Sequence, residues 1–183
     1  MDRNEALDLV KREIGNANLI KHTLAVEAVM RRCARRLGAP EERWGLSGLL
    51  HDIDYSKTAN DPDRHSLLGA EMLSGLGLDE ELVAAVKSHN DRHGIPRETL
   101  MAKALYAADP LTGLIVAAAL IHPHKKLSAI DVAFLQNRFG EKSFARGARR
   151  DAIESCGEVG LTLQEFLGLG LEAMQGIAAE LGL

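Results

Sequence analysis

Apolar residues return every three or four positions along most of this chain, and no stretch alternates in the way a half-buried strand does. Residues 5–14 carry Ala6, Leu7, Leu9, Val10 and Ile14, with Gly15 placed to end the helix. Residues 19–37 repeat Ala25, Val26, Val29, Cys33 and Leu37 and keep Arg31, Arg32, Arg35 and Arg36 on other faces, before Gly38-Ala39-Pro40 breaks the pattern. Residues 41–53 follow with Trp44, Leu46, Leu49, Leu50 and Ile53. Residues 65–76 and 79–89 read as two more helices joined through Gly75 and Gly77. Residues 97–121 form a long helical pattern in which Pro110 removes one backbone N–H, so a kink or split just after Asp109 is expected. The polar residues 55–64 read as a loop, with Asp61-Pro62 available as a cap for the next helix, and 90–96 read as a turn. Two capping-box patterns, Ser128-x-x-Asp131 and Thr162-x-x-Glu165, predict helices near 129–138 and 163–181, with another over 143–155. The expected fold is all-α, with about eight or nine helices.

Composition limits what such a bundle can do. Only 4% of residues are aromatic, so Leu, Ala, Val and Ile must fill the core. A formal charge of −4 gives no broad basic surface, which argues against sequence-independent duplex DNA binding. The arginine pairs at 31–32 and 35–36 lack aromatic stacking partners and read as a solvated face. Cys33 and Cys156 are too few and too far apart for a disulfide framework or a zinc ribbon. The N-terminal residues lack the apolar run of a secretory signal. The most apolar run, 111–121, is about half the roughly 20 residues that span a bilayer. A cytoplasmic protein with no membrane partner is expected. No P-loop, dinucleotide fingerprint or nucleophile elbow is present.

The chemistry concentrates in histidine and aspartate. His51-Asp52 pairs a neutral nitrogen donor with an anionic oxygen donor, a set suited to a divalent metal that activates water. His22 precedes the pair, and His65, His89 and Asp109 follow it, each near an apolar helical segment. A lone histidine on such a helix is ordinarily a hydrogen-bonded core residue, and Asp109 alone could cap the segment after Pro110. Four histidines and two aspartates in this order are hard to explain as independent structural choices. A buried unpaired carboxylate at Asp109 would be costly, and a metal would neutralise it.

The ordered set His22, His51-Asp52, His65, His89 and Asp109 resembles the H…HD…H…H…D pattern of the HD-domain superfamily of metal-dependent phosphohydrolases. Leu49-Leu50-His51-Asp52-Ile53 matches its central motif, the run from His65 to Glu71 its H-x-x-x-G-A-E helix start, and Ala107-Ala108-Asp109 its terminal A-D. The likeness covers about residues 20–121. It implies a multi-helix HD-domain bundle over residues 1–125, with additional C-terminal helices over 126–183 packed on the same domain. It also implies one or two divalent transition-metal ions, Fe, Mn, Co, Ni or Zn. His22, His51, Asp52 and Asp109 would hold the first, and His65 and His89 the second, with Asp52 bridging. Asp54 and Tyr55 stand where the family usually has Gly and Lys, and Lys57 nearby is the candidate for phosphate contact or leaving-group support, with Asp52 as the central catalytic residue.

One divalent ion with two carboxylates leaves a net charge near zero, whereas two ions leave about +2 and draw in phosphate unaided. A one-ion site therefore needs a nearby cation, for which Lys57, Arg64 and Lys87 are candidates. The expected partner is a small phosphorylated substrate, a nucleotide by default, with a homodimer as a further option. Two other readings use the same residues: an HD-type di-iron oxygenase, separable by anaerobic assay, and a non-catalytic nucleotide- or partner-binding module. His93 is expected to lie past the end of its helix, and His122 and His124 in a solvated turn.

Overall fold

The computed structural model describes residues 1–183, and the elements are helices throughout. In chain order they are α1 (Arg3–Ile14), α2 (Ala17–Leu37), α3 (Glu41–Leu50), α4 (Tyr55–Thr58), α5 (Leu67–Gly75), α6 (Glu80–Ser88), α7 (Leu100–Ile121), α8 (Val132–Gly140), α9 (Arg150–Glu154), α10 (Leu163–Gly176) and α11 (Ala178–Leu181). The all-α expectation holds, because the three-to-four-residue spacing of apolar side chains puts one stripe of each long helix into a shared core.

That core is one cluster of 43 buried apolar residues reaching from Ala6 to Leu181. Helices α2, α3 and α7 make its centre. Gly48 lets α3 lie against the α2 backbone, since a Cβ there would come within 2.8 Å of the Val26 carbonyl oxygen. Gly170 similarly lets α10 reach α7, where a Cβ would meet Leu111 Cδ2 at 2.6 Å. Phe166, Leu167, Leu171 and Met174 of α10 complete the core on that side. Helix α7 is apolar and long enough to cross a bilayer, but 61% of its most apolar window is buried inside the protein.

Several boundaries differ from the sequence reading, each for a local reason. Helix α3 ends at Leu50, and residues 51–54 tighten into three-residue turns with Ile53 N–H bonded to Leu50 O and Tyr55 N–H to Asp52 O. The stretch read as a loop, 55–64, contains the short α4. Asp61-Pro62 does not cap α5, which starts at Leu67. The buried Asp54 carboxylate does that work from across the chain, accepting from Ser66 N (2.8 Å) and Gly69 N (3.0 Å). Helix α7 starts at Leu100 after the Thr99 cap and runs unbroken through Pro110. The proline removes one hydrogen bond, and the buried Leu111, Leu114 and Ile115 packed beyond it hold the helix together.

In the last third, Asp131 rather than Ser128 caps α8, by accepting from Phe134 N at 2.8 Å. The preceding Leu127 and Ile130 are buried, which holds Ser128 in a 3-10 turn instead. Thr162 does cap α10 through Glu165 N, but the helix stops at Gly176 and resumes as α11. The helix expected over 143–155 is reduced to α9, preceded by turns.

Candidate metal centre

His22 stands early in α2, His51 and Asp52 in the turn after α3, His65 just before α5, His89 at the end of α6 and Asp109 midway along α7. The packing of these segments brings all six side chains to one place. Asp52 Oδ1 lies 3.4 Å from His65 Nε2, 3.5 Å from His51 Nε2 and 3.6 Å from His89 Nε2, while its Oδ2 lies 3.7 Å from His22 Nε2. Asp109 Oδ1 is 3.1 Å from His22 Nε2 and 3.9 Å from His51 Nε2. His22, His51 and Asp109 form one triad able to hold an ion, and His51, Asp52 and His89 another.

The outer ring nitrogens fix how these imidazoles point. His51 Nδ1 lies 2.8 Å from Gly48 O, and His89 Nδ1 2.6 Å from Val86 O. A carbonyl can only accept, so each Nδ1 carries the hydrogen. His65 Nδ1 donates to Asp54 Oδ1 at 3.1 Å. The Thr112 hydroxyl donates to Asp109 O at 2.9 Å and therefore accepts from His22 Nδ1 at 3.1 Å. In the neutral rings each Nε2 is therefore the lone-pair nitrogen, and all four face the two carboxylates. This is how metal-binding histidines are ordinarily oriented, through the nitrogen that does not bind. Burial works to lower His22 and His89, but Asp109 beside the first and Asp52 beside the second raise them, so in the absence of an ion these two rings draw protons toward the carboxylates.

Such a set of acceptors does not stabilise itself. His65 Nε2 and His89 Nε2 face each other at 3.2 Å, and His51 Nε2 is fully buried with no hydrogen-bond partner. Burial pulls His51 below its usual range, which keeps the ring neutral. Burial also works to raise the Asp52 carboxyl, but the His51, His89 and His22 imidazoles outweigh it and hold the group well below the ordinary carboxylate range. Asp109 is likewise held down against burial, by His22 and His51. Neutral imidazole and ionised carboxylate are the forms in which these side chains bind metal, so the donor set fits a divalent transition metal.

Two further residues belong to this site that the sequence does not assign to it. Thr112, one turn after Asp109, orients His22. Asp54, fully buried, both caps α5 and holds His65, and its place two residues after Asp52 was the available signal. Asp54→Ala leaves two buried N–H groups without acceptors at about 1–3 kcal/mol each, so a loss of about 2–6 kcal/mol in urea unfolding is expected. Metal affinity should fall about 10- to 100-fold as His65 loses its anchor, read by chelator competition.

Lys57 is not brought to the cluster. Its ammonium lies 2.7 Å from Glu13 Oε2, where it joins α4 to α1. Arg64 approaches only Asp61, at 4.0 Å, and Lys87 is exposed at the end of α6. His93 lies past α6, as expected, and donates from Nε2 to His65 O at 2.7 Å, tying the two loops together. His122 and His124 lie tilted against each other in the turn after α7.

Comparison with known proteins agrees with this geometry. The chain is 31% identical over 96 residues to ribonuclease Y of Lawsonia intracellularis, covering 52% of this chain and 18% of that protein. Ribonuclease Y of Thermosipho melanesiensis is 30% identical over 97 residues, 51% of this chain and 19% of that one. A tRNA (cytidine(56)-2'-O)-methyltransferase of Picrophilus torridus is 26% identical over 152 residues, 81% of this chain and 44% of the relative. The chain thus spans less than half the length of each of these relatives. The HD domain profile matches residues 19–119, a stretch that contains all six converging side chains and more than half of the sequence, and the chain accordingly belongs to the HD domain family.

Proposed function

We propose that this protein is a metal-dependent phosphohydrolase acting on a nucleotide or another small phosphate ester. The observation that carries the proposal is the convergence of four imidazole lone pairs on two ionised carboxylates, with His51 Nε2 buried and unpartnered. A divalent ion there supplies Lewis-acid stabilisation of phosphoryl oxygens and lowers the pKa of a water toward neutrality. His22, His51, Asp52 and Asp109 would hold one ion, and His65 and His89, sharing Asp52, a second. Asp52 faces three imidazoles through Oδ1 and the fourth through Oδ2, which supports it as the carboxylate shared between the two halves of the centre. Thr112, Asp54 and the carbonyls of Gly48 and Val86 keep the four rings from rotating as charge builds up beside them.

The two ribonuclease Y relatives are named for cleavage of RNA, which supports a phosphate ester of nucleotide type for the shared region. The test is direct. Protein purified without chelator should carry between one and two transition-metal ions per chain. It should hydrolyse members of a panel of nucleoside phosphates and p-nitrophenyl phosphate equally well under argon and in air. Dialysis against chelator should remove the activity, and added metal should restore it. Substrate consumption that needs oxygen would instead identify an oxygenase, and protein that retains no metal would identify a binding module.

A further inference from the structure

A cleft of about 230 Å³ leads from solvent to the metal centre. His65, His89 and Asp109 line its inner end, and Asp91, Tyr106 and Arg149 line its mouth. Arg149 is the only lysine or arginine on its wall. We propose that Arg149, carried in by the segment after α8, is the residue that binds the substrate's phosphate at this centre. The inference rests on the phosphohydrolase reading and names the cation that a one-ion centre requires.

Three observations carry it. The first is position. Arg149 Nη2 donates to the Tyr106 hydroxyl at 3.2 Å, and Nη1 donates to the Asp91 carboxylate. Tyr106 lies one helical turn before Asp109 on α7, and Asp91 lies two residues after His89. The guanidinium therefore sits between the two elements that bring the nearest metal-binding side chains to the cleft. The Tyr106 ring is itself braced by Arg97, whose Cζ lies 3.7 Å from the ring centroid.

The second observation is the division of labour between neighbours. Arg150 donates to the carbonyls of Ala148 (2.6 Å), Phe144 (2.7 Å), Phe139 (3.1 Å) and Ala145 (3.1 Å), and it faces no carboxylate. It fastens the turns between α8 and α9, including Ala145, whose φ of 43° is one that side-chain-bearing residues seldom adopt. The loop is therefore ordered by Arg150, and Arg149 is free of that task. Arg149 stays 44% exposed, held only by Asp91, Asp151 and Tyr106, all of which an incoming anion can replace.

The third observation is charge and size. With one divalent ion bound, Asp52 and Asp109 balance its charge, and attraction for an anion then falls to the wall, where Arg149 is the cation, paired with Asp91 and Asp151 until an anion replaces them. A planar guanidinium suits two phosphate oxygens at once. At about 230 Å³ the cleft is smaller than the roughly 300–1,000 Å³ that encloses a whole small molecule. It takes the phosphoryl group and leaves the organic part of the ester outside, on the Tyr106 side.

The test uses metal-loaded full-length protein, p-nitrophenyl phosphate as substrate and inorganic phosphate as ligand. Arg149→Met should raise KM and the Kd for phosphate about 10- to 100-fold, the effect of losing hydrogen bonds to a charged group. Metal per chain and thermal midpoint should stay at wild-type values. Arg149→Lys should recover part of the affinity, and Arg150→Met should lower the thermal midpoint as the loop loses its fastening. Unchanged phosphate affinity in Arg149→Met overturns the assignment and leaves the phosphohydrolase reading intact, whether or not the thermal midpoint falls. Wild-type holoprotein that neither binds phosphate nor hydrolyses the ester overturns both.

Discussion

Asp52→Ala is expected to strip the protein of metal and take hydrolysis to the detection limit while leaving the helical bundle folded. Asp52 is the one side chain whose two oxygens face all four imidazoles, so no neighbour can take over its place. Loss of a residue that merely orients a ligand lowers affinity about 10- to 100-fold, and loss of the central ligand should exceed the upper end of that range. Misfolding is a poor alternative explanation, because the Asp52 side chain makes no hydrogen bond that an element depends on. The carboxylate is buried among imidazole nitrogens, not at a helix cap or packing contact. Circular dichroism and the thermal midpoint of chelator-treated wild type and variant should therefore agree. Metal analysis and p-nitrophenyl phosphate turnover of the untreated proteins should separate them completely. A variant that keeps both metal and turnover would remove the basis for the phosphohydrolase reading.

Gly48→Ala is expected to damage the protein from a position that touches no substrate. A Cβ at residue 48 would lie 2.8 Å from Val26 O and 2.9 Å from both Glu27 Cα and Glu27 N. All three atoms belong to the α2 backbone, so no side chain can swing aside, and α3 as a whole must move outward. Overpacking of this kind costs about 3 kcal/mol. In a chain of 183 residues that corresponds to a fall of about 6–12 °C in thermal midpoint. The displacement also reaches the metal centre, because the Gly48 carbonyl holds His51 Nδ1. Metal occupancy should drop along with stability. Gly45→Ala is the informative contrast: its Cβ would meet only Arg31 side-chain atoms, the nearest Nε at 2.6 Å. A side chain can shift where a backbone cannot, so the loss should be smaller and His51 should stay in place. Equal losses in the two variants would show that the α2–α3 approach is not limited by backbone contact at Gly48.

The six converging residues could be read from the sequence because each sits at the end of, or on, a helix whose apolar stripe announces itself locally. His51 and Asp52 end the stripe of Trp44, Leu49 and Leu50, and Asp109 interrupts the buried face of α7. The fold class followed from the same periodicity. What escaped depends on contacts between distant parts of the chain. Lys57 lies five residues from Asp52 in sequence, but the turn at 51–54 carries it toward Glu13. Arg149 lies forty residues beyond Asp109 and reaches the cleft only because α10 and the core residues Ala148 and Ile153 pin the last third against α7. Asp54 looked like a substitution at a motif position, whereas its role depends on amides twelve and fifteen residues away. Pro110 departs from expectation for the opposite reason. A local rule predicted a break, and the packing of the neighbouring residues overrode it.

The residues that meet at the centre are strung along the chain from His22 to Asp109, on segments with few covalent neighbours in common. Joining them through a shared ion would close most of the domain into a ring, much as a disulfide does. The loop entropy removed from the unfolded chain would be worth on the order of 4–5 kcal/mol. Heat resistance should therefore report occupancy. A melting assay run across candidate metals, and then across phosphorylated compounds with the best of them, would sort ligands for this protein before any turnover has been detected.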